Sequence, residues 1–246
     1  QQYRGFATFN KIGTSTWTLS GSGAQNWIVG QGTLIGDTNS LAGGAITDNA
    51  ALVYNQSFNG THSGLIGGSG ALTKTGSGTI GASATGNGIV AGGPGTGSVG
   101  VTVQSGGTVQ GGVAVSFSGT ATTNALTNFG TVQGIGALSS GVSATVATIL
   151  NSGTITGLSS GAFGDNLTIT NNTGHTIQGT DVGGVGVHAI GAVGFANITN
   201  NAGATISATN TNGIAIATTT AMVNNSGAIT GALDGVNTQN TTTLSN

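Results

Sequence analysis

A repeat of about 23 residues runs through the chain from position 100 onward and sets the tightest limit on its architecture. Each unit contains an amide residue, a small residue, a glycine and then a Val or Ile. The closing aliphatic residues recur at this interval; they are Val109, Val132, Ile155, Ile177, Ile206 and Ile229. Such a period is typical of a solenoid, in which each repeat buries its apolar residues only against its neighbours.

Each unit also contains short apolar segments with the alternation of strands that have one buried face. Val113 and Val115 show this pattern, and so do Ile214 and Ile216. No segment has the spacing of an amphipathic helix. Three short strands per unit, joined at Gly and Asn corners, predict an all-β fold: a parallel β-helix of about 10–11 coils with roughly 21–23 residues each.

The amide residues of the repeat predict a stack of side chains along the solenoid. Asn in register on successive coils can form a hydrogen-bonded ladder, and we expect Asn128, Asn151 and Asn225 to form one. The same phrase begins at Asn172 and Asn201 in two other units. The alternative is that all of these are ordinary exposed turn residues.

One interval of the repeat is longer than the others. It runs from Ile177 to Ile206 and contains about six extra residues. We expect them to bulge from one corner, around residues 183–195.

Composition excludes several other classes of protein. The chain has 246 residues with 49 Gly, one Pro, no Cys and only 3% charged residues. One Pro excludes collagen, and the absence of Cys excludes a disulfide scaffold or a thiolate metal site. The cations are Arg4, Lys11 and Lys74, too few for a nucleic-acid-binding patch. The sequence contains no long apolar run that would predict a membrane helix. It also has no apolar region at its N-terminus that would predict a signal peptide.

The first part of the chain resembles a known family. Residues 9–21 (FNKIGTSTWTLSG) have a partner in residues 72–80 (LTKTGSGTI). Their lysines, Lys11 and Lys74, are separated by three coils of roughly 21 residues each. Residues 9–80 resemble the passenger-associated transport repeat of autotransporters, the type V secreted proteins of Gram-negative bacteria. The resemblance implies a right-handed parallel β-helix at the cell surface or outside the cell, and an outer-membrane translocator that this sequence lacks.

The resemblance and the later repeat together suggest two stretches of one continuous solenoid. Residues 1–80 form the coils that resemble the passenger-associated repeat, and residues 81–246 form the coils of the Asn-x-Gly-Thr-Ile repeat. The sequence stops within a repeat, which predicts a segment of a longer solenoid or a coil completed by another chain.

Aromatic residues concentrate near the N-terminus. We expect them to cap or fill the first coils, because an open end of a solenoid needs cover. The alternative is a sugar-binding platform. The residues are Tyr3, Phe6, Phe9, Trp17, Trp27, Tyr54 and Phe58.

The acidic residues do not predict an active site. Asp165 and His188 are one repeat apart and are the best candidates for neighbours, with His175 and Asp181 nearby. Asp37 and Asp48 are half a coil apart, so we expect them to face different ways.

Two short motifs in the same part of the chain resemble functional motifs but do not predict a functional site. The G-x-S-x-G motif at residues 157–161 lacks the helix that a nucleophile elbow requires. Residues 183–190 resemble one calcium-binding nonapeptide, but His188 replaces the ligand Asp. We predict no catalytic, cofactor-binding or metal-binding residue.

These observations favour a non-catalytic structural or adhesive segment, a stalk or adhesin passenger, of a bacterial surface or secreted protein. Expected partners are glycans or proteins on host or neighbouring cells, with no nucleic acid and no membrane insertion of this segment. One alternative is a subunit that associates end to end into an extracellular fibre. A less favoured alternative is a polysaccharide-cleaving enzyme, which needs a pair of carboxylates.

Overall fold

The computed structural model describes residues 6–81, 87–91, 99–117, 124–191, 194–240 and 242–246. These residues form strands and no helix, and every strand pair is parallel. The chain is a β-solenoid, so the predicted fold class is confirmed. No helix in this part of the chain is long and apolar enough to cross a membrane.

Twenty-eight strands, most of them short, lie within these described residues. In chain order they are β1 (Thr8–Lys11), β2 (Thr16–Thr18), β3 (Asn26–Val29), β4 (Thr33–Gly36), β5 (Ile46–Asp48), β6 (Ala51–Asn55), β7 (Gly60–Thr61), β8 (Ile66–Gly67), β9 (Ala71–Thr75), β10 (Thr79–Gly81), β11 (Asn87–Ala91), β12 (Gly100–Val103), β13 (Thr108–Gly111), β14 (Val113–Phe117), β15 (Asn124–Asn128), β16 (Thr131–Gly134), β17 (Ser140–Asn151), β18 (Thr154–Gly157), β19 (Ser160–Asn171), β20 (Thr176–Gly179), β21 (Val185–Ala189), β22 (Phe195–Asn200), β23 (Thr205–Ala208), β24 (Ile214–Thr218), β25 (Thr220–Asn225), β26 (Ala228–Gly231), β27 (Asp234–Thr238) and β28 (Thr242–Ser245).

The strands stack into three sides. Side 1 contains β1, β3, β5, β8, β11, β14, the first half of β17, the first half of β19, β21, β24 and β27. Side 2 contains β2, β4, β6, β9, β12, β15, the second halves of β17 and β19, β22, β25 and β28. Side 3 contains β7, β10, β13, β16, β18, β20, β23 and β26.

The coils differ in how many sides carry strands. The eight coils from β5 to β26 have strands on all three sides, whereas the last coil, β27–β28, has strands on sides 1 and 2. Before them, β1–β2 and β3–β4 form two coils on sides 1 and 2, and the connecting residues 19–25 and 37–45 contain no strand. The solenoid has about nine turns, slightly fewer than the 10–11 coils that the repeat predicts, because the first two coils and the last coil have strands on only two sides. Coil length varies more than predicted: a short coil joins Thr16 to its partner Thr33, and a long one joins Thr176 to its partner Thr205.

Strand pairing continues without interruption past residue 80, where the two sequence styles meet. On side 2, Leu72 pairs with Val101, and on side 3, Ile80 pairs with Val109. Each coil therefore uses the backbone of the previous one, whichever repeat style encodes it.

The core is a set of aliphatic columns that run along the solenoid. On side 3 the inward column is almost completely buried; it consists of Ile80, Val109, Val132, Ile155, Ile177 and Ile206. Side 2 supplies a parallel column that includes Leu126, Ile149 and Ile169. Burying one such side chain stabilises the fold by about 1.5–3 kcal/mol, so the columns are the main source of stability.

The extra residues between Ile177 and Ile206 are divided between two corners. Relative to the coil before it, the connections at residues 180–184 and 190–194 are longer, and β21 lies between them. The prediction of a single bulge around residues 183–195 is therefore wrong, although residues 192–193 lie outside the described part. Each strand must keep its register with the coil below to keep its apolar side chains inside, and insertions at separate corners allow this.

The N-terminal aromatic residues divide between capping and filling. Trp17 pairs with the buried Leu34, so it occupies the inward position of the first coil, and it is 42% exposed. Phe9 lies between Phe6 and Trp27, with ring centroids 5.8 Å and 5.1 Å apart. These residues cover the first coils as predicted. Trp27 and Tyr54 are instead buried core residues, Phe58 is partly exposed on the surface, and Tyr3 lies outside the described residues.

The inward column of side 3 can be tested with a single charge. Ile155 is fully buried, so Ile155→Asp should place an unpaired carboxylate in the core and lower the free energy of unfolding by about 3 kcal/mol or more. The matched control is Thr154→Asp, because Thr154 is the exposed neighbour on the same strand. Urea denaturation followed by circular dichroism measures both variants. Equal midpoints would show that the assignment of inward and outward residues is wrong.

Candidate functional site

Six asparagines form a continuous hydrogen-bonded ladder at the corner between sides 2 and 3. In the first five, the side-chain Nδ2 donates to Oδ1 of the asparagine in the next coil, at distances of 2.8–2.9 Å. Five of the six are buried. The members of this Asn ladder are Asn128, Asn151, Asn171, Asn200, Asn225 and Asn246. The predicted column of Asn128, Asn151 and Asn225 is confirmed.

Two of the predicted repeat units were aligned one residue too late. The chain places Asn171 and Asn200 in the Asn ladder, not Asn172 and Asn201. The corners after these two ladder residues span 172–175 and 201–204, whereas the corner after Asn151 spans only 152–153. Gly174 and Gly203, at φ of 79° and 72°, close the longer corners.

Asn172 and Asn201 form a second, outer row beside the ladder. Asn172 Nδ2 donates to Ser152 Oγ at 2.7 Å, and Asn201 Nδ2 donates to Asn172 Oδ1 at 3.2 Å. Both side chains are half-buried.

The Asn ladder also holds the backbone of side 3. The Nδ2 groups of Asn128, Asn151 and Asn171 donate to the carbonyl oxygens of Thr154, Thr176 and Thr205, at 3.0–3.1 Å. Asn200 makes the equivalent bond to Ala228. A carbonyl at the start of each of these side 3 strands is therefore tied to the coil before it.

The glycine at the end of each short ladder corner is required by the close approach of successive coils. A Cβ on Gly153 would lie 2.2 Å from the carbonyl oxygen of Gly130 and 2.9 Å from Asn128 Nδ2. A Cβ on Gly130 would meet the Gly107 oxygen in the same way. The Asn-x-Gly phrase therefore combines an inward amide with a corner that only glycine fits.

Side 3 presents two outward rows of uncharged side chains. The first row, called the Thr rank, contains Thr79, Thr108, Thr131, Thr154, Thr176 and Thr205, which pair with one another in unbroken register. The second row contains Gln110, Gln133, Thr156, Gln178, Ser207 and Thr230, of which Ser207 is buried. The repeat pattern predicted the Thr of each unit only as part of a strand. The signal was present, because the Thr recurs immediately before the buried aliphatic residue.

The predicted acid and histidine neighbours are separated. His188 pairs with Phe163, not with Asp165, and the two rings meet edge to face with centroids 5.5 Å apart. The coil that joins Phe163 to His188 is two positions longer than the repeat predicts. Burial lowers the pKa of His188.

The other two members of that candidate group lie in corners. Asp181 accepts a hydrogen bond from the Val182 backbone, and His175 lies in a different corner, before β20. The four residues therefore do not converge on one point.

Metal-ligating side chains do not cluster. No group of three or more His, Cys, Asp or Glu residues that could hold a metal ion occurs within the described ranges. The G-x-S-x-G motif at residues 157–161 leads from β18 into β19, with no helix. Residues 183–190 form parts of two corners and β21.

A buried polar cluster occupies the early coils. The Tyr54 hydroxyl lies 2.9 Å from His62 Nδ1, which also lies 2.8 Å from the Leu41 carbonyl oxygen. His62 Nε2 is buried and has no hydrogen-bond partner among the described residues. Burial raises the pKa of Tyr54 and lowers that of His62, where the Leu41 and Gly64 carbonyls oppose the shift. A hydroxyl and a neutral imidazole therefore fill part of the core.

The two acidic side chains of the early coils face different ways, as expected. Asp37 accepts hydrogen bonds from Ser40 in an outer corner. Asp48 is only 4% exposed, and burial raises its pKa to about 6, with the hydrogen bond from the Ala50 backbone acting in the opposite direction.

The two lysines make similar local contacts on different sides. Lys11 ends β1 on side 1 and Lys74 lies on β9 on side 2. The expectation that a whole number of coils separates them is therefore wrong. Lys11 Nζ donates to the Gly13 carbonyl, and Lys74 Nζ donates to the Gly76 carbonyl. Burial lowers the pKa of Lys74 to about 8.

The last coil has a concavity of about 560 Å³. It is lined by Asn225, Gly227, Ala228, Ile229, Thr230, Gly235, Val236, Leu244 and Asn246. Most of these residues belong to the ladder and to the inward positions of the coil.

Comparison with known proteins finds no matching family model, no matching curated protein and no matching solved structure.

The ladder can be tested by removing one buried amide. Asn151→Ala removes one of the two acceptors of Asn128 Nδ2 and the Asn151 Nδ2 donor to the Thr176 carbonyl. We expect the free energy of unfolding to fall by about 2–4 kcal/mol. Asn172→Ala in the outer row should cost less than about 1 kcal/mol, because water can replace the lost contacts. Equal losses in urea denaturation would show that an amide of the ladder stabilises the fold no more than an amide of the outer row.

The pKa of Asp48 makes stability depend on pH. A folded-state pKa of about 6, above the unfolded value of 3.8, means that the folded chain holds the proton more tightly. Stability from this group should therefore rise by up to about 3 kcal/mol as pH falls from 7 to 4. Asp48→Asn should remove this rise, and comparison with the variant isolates Asp48, because the shift of His62 acts in the opposite direction. Identical pH profiles for both proteins would contradict the prediction.

Proposed function

We propose that the chain is a non-catalytic structural or adhesive segment of a bacterial surface or secreted protein. The observation that carries the proposal is the unbroken stack of coils, in which the core columns and the Asn ladder run together. Stacked at roughly 4.8 Å per coil, the strands give a rod of roughly 50 Å. A rod held by repeated contacts suits a stalk that presents its sides to other surfaces.

The distribution of acidic residues supports a non-catalytic role. Asp37 and Asp181 lie in separate outer corners, and Asp48 lies buried in the early coils. Glycoside hydrolysis needs two carboxylates on either side of one bond.

The proposed partners are glycans or proteins on host or neighbouring cells. The chain would contact them through its uncharged side chains.

Adhesion is measured with beads that carry the folded chain. We expect these beads to be retained on bacterial or epithelial cells, and beads carrying the unfolded chain to be washed away. Periodate treatment of the cells distinguishes glycan from protein receptors. Release of reducing ends from a polysaccharide, lost in Asp165→Ala or Asp181→Ala, would instead establish an enzyme and overturn the proposal.

Negative-stain electron microscopy separates the stalk from the fibre alternative. Isolated rods of roughly 50 Å at every concentration are expected for a stalk segment. Continuous filaments with that axial repeat would favour end-to-end association.

A further inference from the structure

Side 3 carries a regular array of hydroxyl groups that the adhesive proposal does not explain. The Thr rank contributes one threonine from each of six successive coils. Neighbours along the rank are roughly 4.8 Å apart, and the second row lies about 6.6 Å away along the strands. The result is a two-dimensional lattice of positions whose spacing comes from the backbone.

The Thr rank reaches the surface, since Thr154 is exposed and the other five threonines are half-buried. None of the six hydrogen-bonds through its side chain to another group in the described part of the chain. Each threonine also presents a methyl group beside its hydroxyl. The surface therefore offers hydroxyl groups, which form weak hydrogen bonds, and apolar methyl groups at a constant spacing.

The array carries no charge. The outward positions of β10, β13, β16, β18, β20, β23 and β26, which include both rows, are occupied by Thr, Gln, Ser, Ala and Gly. His175 and Asp181 are in corners at its border, not on the strands. Charged groups hold their own hydration shells, so a neutral face suits an uncharged ligand that hydrogen-bonds.

The array is also held rigidly. The Asn ladder donates to the carbonyl oxygens of Thr154, Thr176 and Thr205, which belong to the Thr rank itself. Next to each threonine on its strand lies an almost completely buried aliphatic residue. Side-chain ladders of this kind stabilise sheets with little twist over many strands, so the lattice extends along the rod.

We propose that side 3 binds the surface of ice crystals. Ice is an uncharged lattice of hydrogen-bonding oxygens, and its shortest repeat is close to the distance between stacked strands. A face of roughly 30 Å by 10 Å spans several repeats in one direction and two rows in the other. Many weak contacts in register then hold the chain on the crystal, where one contact alone would not.

A polysaccharide fits this face less well. Sugar-binding surfaces use aromatic rings as stacking platforms, and none of the outward positions of the two rows is aromatic. The exposed Phe129 lies in a corner, outside the two rows.

The experiment measures the chain on ice directly. Purified chain is assayed for thermal hysteresis and for inhibition of ice recrystallisation, and fluorescent chain is tested for adsorption to a polycrystalline ice hemisphere. We expect all three activities. Their absence in folded protein, or adsorption to crystalline cellulose or chitin without activity on ice, would overturn the proposal.

Matched variants locate the binding face. Thr154→Lys and Thr131→Lys place a hydrated charge at the centre of the Thr rank and should abolish ice adsorption. Thr145→Lys makes the same change at an exposed position on β17, away from side 3, and should leave adsorption intact. Circular dichroism and thermal melting verify that each variant is folded. Loss of adsorption in Thr145→Lys, or its retention in both rank variants, would show that side 3 is not the binding face.

Discussion

Every coil of this protein depends on its neighbours to satisfy its polar groups. The backbone of each strand pairs with strands of the coils before and after it, and the buried amide of Asn151 is satisfied by Asn128 on one side and Asn171 on the other. An unsatisfied buried polar group costs about 1–3 kcal/mol. Register along the axis is therefore enforced at each step, and the apolar columns are aligned as a consequence.

Buried ionisable groups such as Lys74 and Asp48 are compatible with this fold because they have local hydrogen-bond partners. Lys74 donates to two carbonyls in its own corner, and Asp48 caps a corner through the Ala50 backbone. Burial raises the pKa of Asp48 and lowers the pKa of Lys74, and both shifts favour the neutral form of the side chain. The outer faces are left to hydroxyl and amide groups, which is the basis of both proposals made for this chain.

Much of the fold could be predicted because it follows from a repeated local pattern. The spacing of Val132 and Ile155 predicted their stacking, and three members of the Asn ladder were found from the repeat alone. The misalignment at Asn172 and Asn201 has a physical cause: an Asn-Asn pair offers two candidates, and only the length of the corner decides which one faces inward. The pairing of Asp165 and His188 failed for a similar reason, since longer corners place Phe163 beside His188.

The sequence by itself determined the class of structure, because aliphatic residues at a constant interval, with glycine at the corners, have few other ways to be buried. It also determined that the sides would be almost uncharged. Only the tertiary structure decided the register, because corners of different length contribute the same residue types. That register joins six threonines into one rank and six asparagines into one ladder beside it, a relation between residues that lie on different coils and far apart in the chain.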